Sequence, residues 1–333
     1  MNRAENLALL KEEAFDILII GGGATGLGAV VDGAARGYKV ALVEGSDFAK
    51  GTSSKSTKLV HGGVRYLQNG DISLVIEALR ERGLLCQNAP HLVKNLSFVI
   101  PSYDWWNSPF YGVGLKIYDL MAGKLGLGPS EMISLEETLK HIPNVNQEGL
   151  RGGVLYHDGQ FDDARLSISL AQTASKNDAV LCNYTKVVSL LKKEEEVVGA
   201  KVQDSLSGEV FDVNAKVVIN CTGVFADDVL KMDNPETKAT IRPSQGVHIV
   251  LDKSFLPGDE AIMVPQTTDG RVLFAVPWHD VVIVGTTDTP LKERLLDPIA
   301  QEDEIKFILD NAGMYMSKKP TKADILSVFA GLR

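Results

Sequence analysis

Between Gly51 and Leu67 the chain reads Gly-Thr-Ser-Ser-Lys-Ser-Thr-Lys-Leu-Val-His-Gly-Gly-Val-Arg-Tyr-Leu. Hydroxyl and ammonium groups, one imidazole and one guanidinium crowd a stretch with few apolar side chains, a composition suited to a loop lying against a polar ligand. The residues before it indicate which ligand. Gly21, Gly23 and Gly26 stand as G-x-G-x-x-G. In that spacing Gly21 permits a tight turn, Gly23 lets backbone approach a pyrophosphate, and Gly26 lets a helix pack close to a strand with its N-terminus facing the phosphates. Glu44 follows at the interval expected of a carboxylate that accepts bonds from ribose hydroxyls, and an acid there disfavours a 2′-phosphate.

The elements that must position these groups can be read on either side. Residues 15–20 form an apolar run of strand length, 29–36 continue with small and apolar residues at helical spacing, and 39–43 form a second strand ending at Glu44. Further on, 72–87 predict an amphipathic helix, 96–101 a short strand, 105–141 a mainly helical stretch outside a simple Rossmann unit, and 162–176 another helix. A strand at 179–182 precedes a meander at 186–191, 197–204 and 209–213, and the apolar run 215–223 ends in a glycine turn that suits the last strand of a nucleotide-binding sheet. Apolar, β-branched runs at 246–251, 261–264, 272–276 and 281–285 predict an antiparallel second domain. The expected division is an FAD-binding domain from 15–95 and 150–241, with 329–333 returning to it, and a substrate or cap domain from 96–149 and 242–328. There is no second G-x-G-x-x-G after a strand, and one fingerprint with an antiparallel partner domain favours a resident FAD over an exchangeable nicotinamide.

Composition narrows the function classes. The 333 residues, 44% of them hydrophobic, are enough to bury a sizeable core in two domains. A net charge of -9 without a basic stripe argues against nucleic-acid binding, so an anionic substrate must be met by locally placed Arg or Lys. Cys86, Cys182 and Cys221 are widely spaced and form no metal motif, and His91, His141, His157 and His248 have no partner at metal spacing, so no metal is expected. The polar, acidic residues 1–14 do not resemble a signal peptide and no uncharged run reaches membrane-spanning length, which leads to an expected cytoplasmic location.

Several motifs, in order, resemble those of the aerobic, membrane-associated FAD-dependent glycerol-3-phosphate dehydrogenases. They are the fingerprint, Glu44, Lys58-Leu59-Val60-His61-Gly62-Gly63-Val64-Arg65-Tyr66, Asp162-Asp163-Ala164-Arg165-Leu166, Asn220-x-Thr222-Gly223, Val276-Pro277-Trp278, Gly285-Thr286-Thr287-Asp288 and Gly331-Leu332-Arg333. The resemblance implies an α/β fold in which a Rossmann-type FAD-binding domain is interleaved with an antiparallel-sheet cap domain, as in the D-amino-acid-oxidase and glycine-oxidase type of flavoprotein. It implies oxidation of glycerol 3-phosphate to dihydroxyacetone phosphate, with electrons passed to quinone or oxygen. Members of that family continue past the Gly-x-Arg motif, so the expectation is a chain lacking their C-terminal part.

Within that resemblance His61 is the candidate base, since an imidazole titrates near neutrality, or else a hydrogen-bond partner of the flavin. Gly62 and Gly63 are expected to let backbone approach the isoalloxazine. Arg65 and Arg333 are the candidate phosphate ligands, because guanidinium forks match phosphate oxygens. Tyr66 is either a hydroxyl donor or a packing residue, and Thr286 and Thr287 either enter the pocket or form a turn. For the cofactor the expected contacts are Gly21, Gly23 and Gly26 at the pyrophosphate, Glu44 at the ribose, Thr52, Ser53 and Ser54 along the phosphates and ribityl chain, and Val187 at the adenine. Thr222 and Gly223 are expected where a strand end meets the dinucleotide, and Lys58 either at the flavin or capping a turn. The aromatic stretch from Trp105 and Trp106 to Met121 suits cap packing, with peripheral contact to the inner face of the cytoplasmic membrane as the alternative. Two competing functions remain: an amine or amino-acid oxidase of the same architecture, and a truncated, non-catalytic FAD-binding protein.

Overall fold

The computed structural model describes residues 1–63, 71–104, 107–264 and 267–333. Arg65, Tyr66, Trp105 and Trp106 lie outside the described residues.

The strand Ala14–Ile20 is apolar on both faces except at Asp16 near its start, because both faces are covered further along, and Phe15, Leu18, Ile19 and Ile20 are all buried. It lies inside a sheet that has, among the described residues, six strands in the order Val180–Cys182, Val40–Val43, Ala14–Ile20, Val210–Asn220, Glu196–Asp204, Thr185–Lys193. The first four strands run parallel and the last two complete an antiparallel meander. Where the sequence predicts separate runs at 209–213 and 215–223, the chain forms one strand, Val210–Asn220. Its first half pairs antiparallel with Glu196–Asp204, and from Asn214 onward it pairs parallel with Ala14–Ile20. The helix Ala24–Ala35 packs on this sheet and against the helix Asp163–Lys176, where Leu27 and Val30 meet Ala171 and Ala174.

Among the described residues the second sheet has ten strands and is antiparallel, as expected, except where Ala261–Val264 runs parallel to Val93–Ser102. It takes in strands that the sequence division assigns elsewhere. Leu59–Val60 and Gly152–Phe161 fall within 15–95 and 150–241, yet both pair in this sheet, Gly152–Phe161 along the full length of Val93–Ser102. The physical reason is burial: Phe98, Ile100, Val154 and Tyr156 from that pair enter one core with Val75, Leu79, Leu115 and Tyr118. Residues 329–333 likewise belong to this sheet through the strand Ile325–Leu332, which pairs with Ser244–Asp252. Their tie to the first half is a bond from Thr52 Oγ1 to the Leu332 carbonyl at 2.5 Å. The stretch 105–141 is not wholly helical: a strand, Glu131–Ser134, separates the helices Asn107–Ala122 and Leu135–His141. The helices Arg3–Glu12 and Glu302–Tyr315 have no counterpart in the sequence reading.

Candidate active site

A cleft of about 940 Å3 opens where the parallel strands end. Gly21 takes a φ of 111°, and a Cβ there would stand 2.5 Å from the Cys221 carbonyl oxygen. A Cβ on Gly26 would stand 1.9 Å from the Gly21 oxygen, so the helix can sit this close to the turn only as glycine. Gly23, Ala24 and Thr25 face the cleft at the helix N-terminus, where the Ala24 amide donates to Ser53 Oγ at 2.8 Å. Glu44, at the end of Val40–Val43, is pinned on both oxygens: Oε2 accepts from the Gly22 amide and Oε1 from the Ser46 amide, each at 2.7 Å. A carboxylate oxygen has further lone pairs, so the pinned group still accepts from a ligand diol. Thr52, Ser53, Val187, Thr222 and Gly223 also line the cleft. Asn220 shapes the last of these turns, with its Oδ1 accepting from Thr222 Oγ1 at 2.7 Å and its Nδ2 donating to the Ala226 carbonyl at 2.9 Å. Lys186 lines the cleft too, though the sequence reading did not single it out.

Lys58 is not at the cofactor cleft. Its ammonium lies 2.6 Å from Asp163 Oδ1 and donates to the Ser54 carbonyl, and Asp163 Oδ2 accepts from both the amide and the hydroxyl of Ser56. Asp163 is buried, and a buried carboxylate needs these partners, so Lys58 is spent on shaping residues 54–58. Ser54 takes part through that carbonyl and lines none of the three cavities described.

Two smaller cavities, of about 200 and 210 Å3, adjoin the cleft, and His61 lines both. Arg333 lines all three spaces, half exposed, with Nη2 donating to the Thr287 carbonyl at 2.7 Å. Thr286 also lines both smaller cavities. Thr287 does not. Its hydroxyl accepts from the Val247 amide at 3.0 Å and meets Glu304 Oε1 at 3.1 Å, which turns the side chain into the protein. Gly63, with a φ of 73°, lines the first small cavity, but Gly62 is glycine for another reason: a Cβ would lie 2.4 Å from Leu79 Cδ2 and 2.5 Å from the Tyr118 hydroxyl.

Arg271 and His248 are functional candidates that sequence reasoning passed over. Arg271 lines the first small cavity, stands over the Phe307 ring and is braced by Asp269, while its Nη1 is buried without a hydrogen-bond partner among the described residues. Its signal was a cation directly before an apolar strand and after an Asp-Gly turn. His248 lines the second small cavity, stacks on Phe329 at 4.7 Å, and meets Thr57 Oγ1 through Nε2 at 2.8 Å. Burial pushes its imidazole down to about 3, so it is uncharged at neutral pH. Strand alternation was the available signal, since Val247, Ile249 and Leu251 fill the core and so set His248 on the other face. Among the described residues no His, Cys, Asp and Glu cluster could hold a metal ion.

Residues 16–333 match the family model of the FAD-dependent oxidoreductases. Mitochondrial glycerol-3-phosphate dehydrogenase of Bos taurus is 46% identical over 99% of this chain and 47% of its own length. The chain thus spans about half the length of the curated relatives it matches. Among solved structures, the glycerol-3-phosphate dehydrogenase of Bacillus halodurans complexed with FAD superposes with a TM-score of 0.83 at 32% identity, covering 99% of this chain and 59% of the other. L-alpha-glycerophosphate oxidase of Mycoplasma pneumoniae with FAD bound shares the fold with a TM-score of 0.76 at 21% identity, covering 96% of this chain and 83% of the other.

Proposed function

This chain belongs to the FAD-dependent oxidoreductase family, and from that premise we propose that it oxidises the secondary alcohol of sn-glycerol 3-phosphate to the ketone of dihydroxyacetone phosphate. The observation that carries the reading is the convergence of Arg271, Arg333 and His61 on one cavity of about 200 Å3 that adjoins the cleft. A phosphate dianion needs more than one cation, and Arg271 Nη1 has no hydrogen-bond partner among the described residues, leaving a donor of the kind an anionic oxygen satisfies. In this reading the two guanidinium groups bind the phosphate, with Arg65 as a third ligand and Tyr66 as a hydroxyl donor. His61 takes the hydroxyl proton as the ketone forms. FAD, when bound, supplies the hydride acceptor. Gly21, Gly23 and the N-terminus of Ala24–Ala35 would hold its pyrophosphate, Glu44 its ribose, and the backbone at Val187 its adenine. The similarity to the bovine and Bacillus halodurans dehydrogenases supports the same substrate.

We assign the electrons to quinone or oxygen, and place the protein in the cytoplasm at the inner face of the cytoplasmic membrane. Val113, Ile117 and Leu120 are exposed on one side of Asn107–Ala122, which packs beside Ile72–Asn88, itself exposing Ile72 and Ile76. That apolar face is the candidate bilayer contact. No helix among the described residues is long and apolar enough to cross a membrane.

Dye reduction by the FAD-loaded protein, assayed with sn-glycerol 3-phosphate, glycerol and glycine in parallel, tests the substrate. Turnover with the phosphorylated compound alone is expected. Equal turnover with glycerol removes the phosphate site, and turnover with glycine alone transfers the protein to the amine oxidases.

A further inference from the structure

Behind the His61 loop lies a chain of buried polar groups with no part in the proposed reaction. The Gly62 amide donates to the Tyr118 hydroxyl at 2.8 Å, that hydroxyl donates to Asp158 Oδ2 at 2.8 Å, and Arg82 Nη1 donates to Asp158 Oδ1 at 2.8 Å. Asp158 Oδ1 also accepts from the Gly159 amide at 3.1 Å. Arg82, Tyr118 and Asp158 are 1%, 1% and 2% exposed, and they come from three different elements: Ile72–Asn88, Asn107–Ala122 and Gly152–Phe161. A buried ion pair is an expensive way to hold a core together, since apolar side chains of the same volume do as well or better. This one stands at the wall of the substrate cavity, where Asp158 and His61 are both lining residues.

We propose that Arg82, Asp158 and Tyr118 form a positioning relay that fixes the His61–Gly62 peptide plane and so aims the imidazole of His61 into the cavity. The direction of each bond is determined. A carboxylate only accepts, so the Tyr118 hydroxyl donates its hydrogen bond to Asp158 Oδ2 and must accept from the Gly62 amide. Burial and the neighbouring Asp158 carboxylate raise the phenol far above its ordinary range, which keeps that proton in place. The Gly62 amide shares its peptide plane with the His61 carbonyl, so holding the amide sets the rotation at which the His61 side chain leaves the backbone. Gly62 completes the fit, because any side chain would displace the very hydroxyl that holds it. Tyr118 is a positioning residue in this account and touches neither substrate nor cofactor.

The inference rests on the proposed dehydrogenase activity for its catalytic consequence, and a single variant separates the two. Tyr118→Phe in the FAD-loaded protein removes one hydroxyl and keeps the ring. The relay predicts unchanged FAD content, a limiting rate of anaerobic flavin reduction by glycerol 3-phosphate lowered about 10- to 100-fold, half-saturation within about twofold of the original, and faster hydrogen exchange at the Gly62 amide. An undiminished limiting rate overturns it, as does a loss of rate matched by a loss of FAD. If the unaltered protein is not reduced by glycerol 3-phosphate, the functional reading fails by itself. Exchange at Gly62 then decides the relay: protection lost in Tyr118→Phe upholds the hold on the loop, and protection kept refutes it. Asp158→Asn is the more severe companion, and Tyr118→Phe suffices where that variant does not fold.

Discussion

At the cofactor cleft the chain offers mainly backbone: the turn at Gly21, the helix start at Gly23 and Ala24, and the amides that grip Glu44. At the two smaller cavities it offers side chains, with His61, Arg271, Arg333 and His248 arriving from separate strands and loops, and the chain next to His61 is bonded at the Gly62 amide to Tyr118. At Gly21 and Gly26 the first kind of site tolerates no added atom, because the partners there are carbonyls and a Cα that cannot swing away. The second tolerates shape changes better but depends on charge, since Arg271 and Arg333 are there to meet an anion while His248 is buried and uncharged.

That contrast is easiest to break at Gly26. Gly26→Ala places a methyl 1.9 Å from the Gly21 oxygen, which no rotamer relieves, so the purified variant is expected to carry no FAD; normal visible flavin absorption would show that the turn yields more than its geometry allows. Next in size is Arg82→Met, which leaves Asp158 buried without its cation. It should cost about 3–5 kcal/mol in denaturant unfolding, whereas a loss under about 1 kcal/mol would mean that the carboxylate finds another partner. Arg271→Met should leave folding and FAD content alone but raise the half-saturating concentration of glycerol 3-phosphate about 10- to 100-fold, as expected for a charge-assisted bond of about 1.5–3 kcal/mol.

The smallest effect concerns His248. Its folded-state value of about 3 lies below the ordinary one near 6.5, so the unfolded chain takes up a proton first as pH falls. Stability is therefore complete above about pH 6.5 and declines below it, by about 2 kcal/mol at pH 5 from this group. Unfolding midpoints at pH 7 and pH 5 should differ more for the unaltered protein than for His248→Gln.

The same contrast explains what could be read from residues alone. Backbone-built sites leave compact patterns, so Gly21, Gly23, Gly26 and Glu44 stood out, as did the parallel strands around them. Arg333 was legible through the Gly331-Leu332-Arg333 motif that carries part of the family resemblance. The relay was not, because Gly62 and Tyr118, and Arg82 and Asp158, are far apart in the chain and meet only when the second sheet forms. Gly152–Phe161 hid its strand character behind two leading glycines and a His-Asp-Gly-Gln run, although most of it is buried. Lys58 and Thr287 are the opposite case: residue type left two readings open for each, and each is claimed by a buried acid, Asp163 or Glu304.

The central claim, that the side-chain cavities present a phosphorylated alcohol to the cofactor in the backbone cleft, is tested most directly by anaerobic titration of the FAD-loaded protein with sn-glycerol 3-phosphate. The account predicts complete bleaching of the visible flavin band with one dihydroxyacetone phosphate formed per FAD. A band that stays yellow at saturating substrate, in protein whose FAD is fully bound, would contradict it.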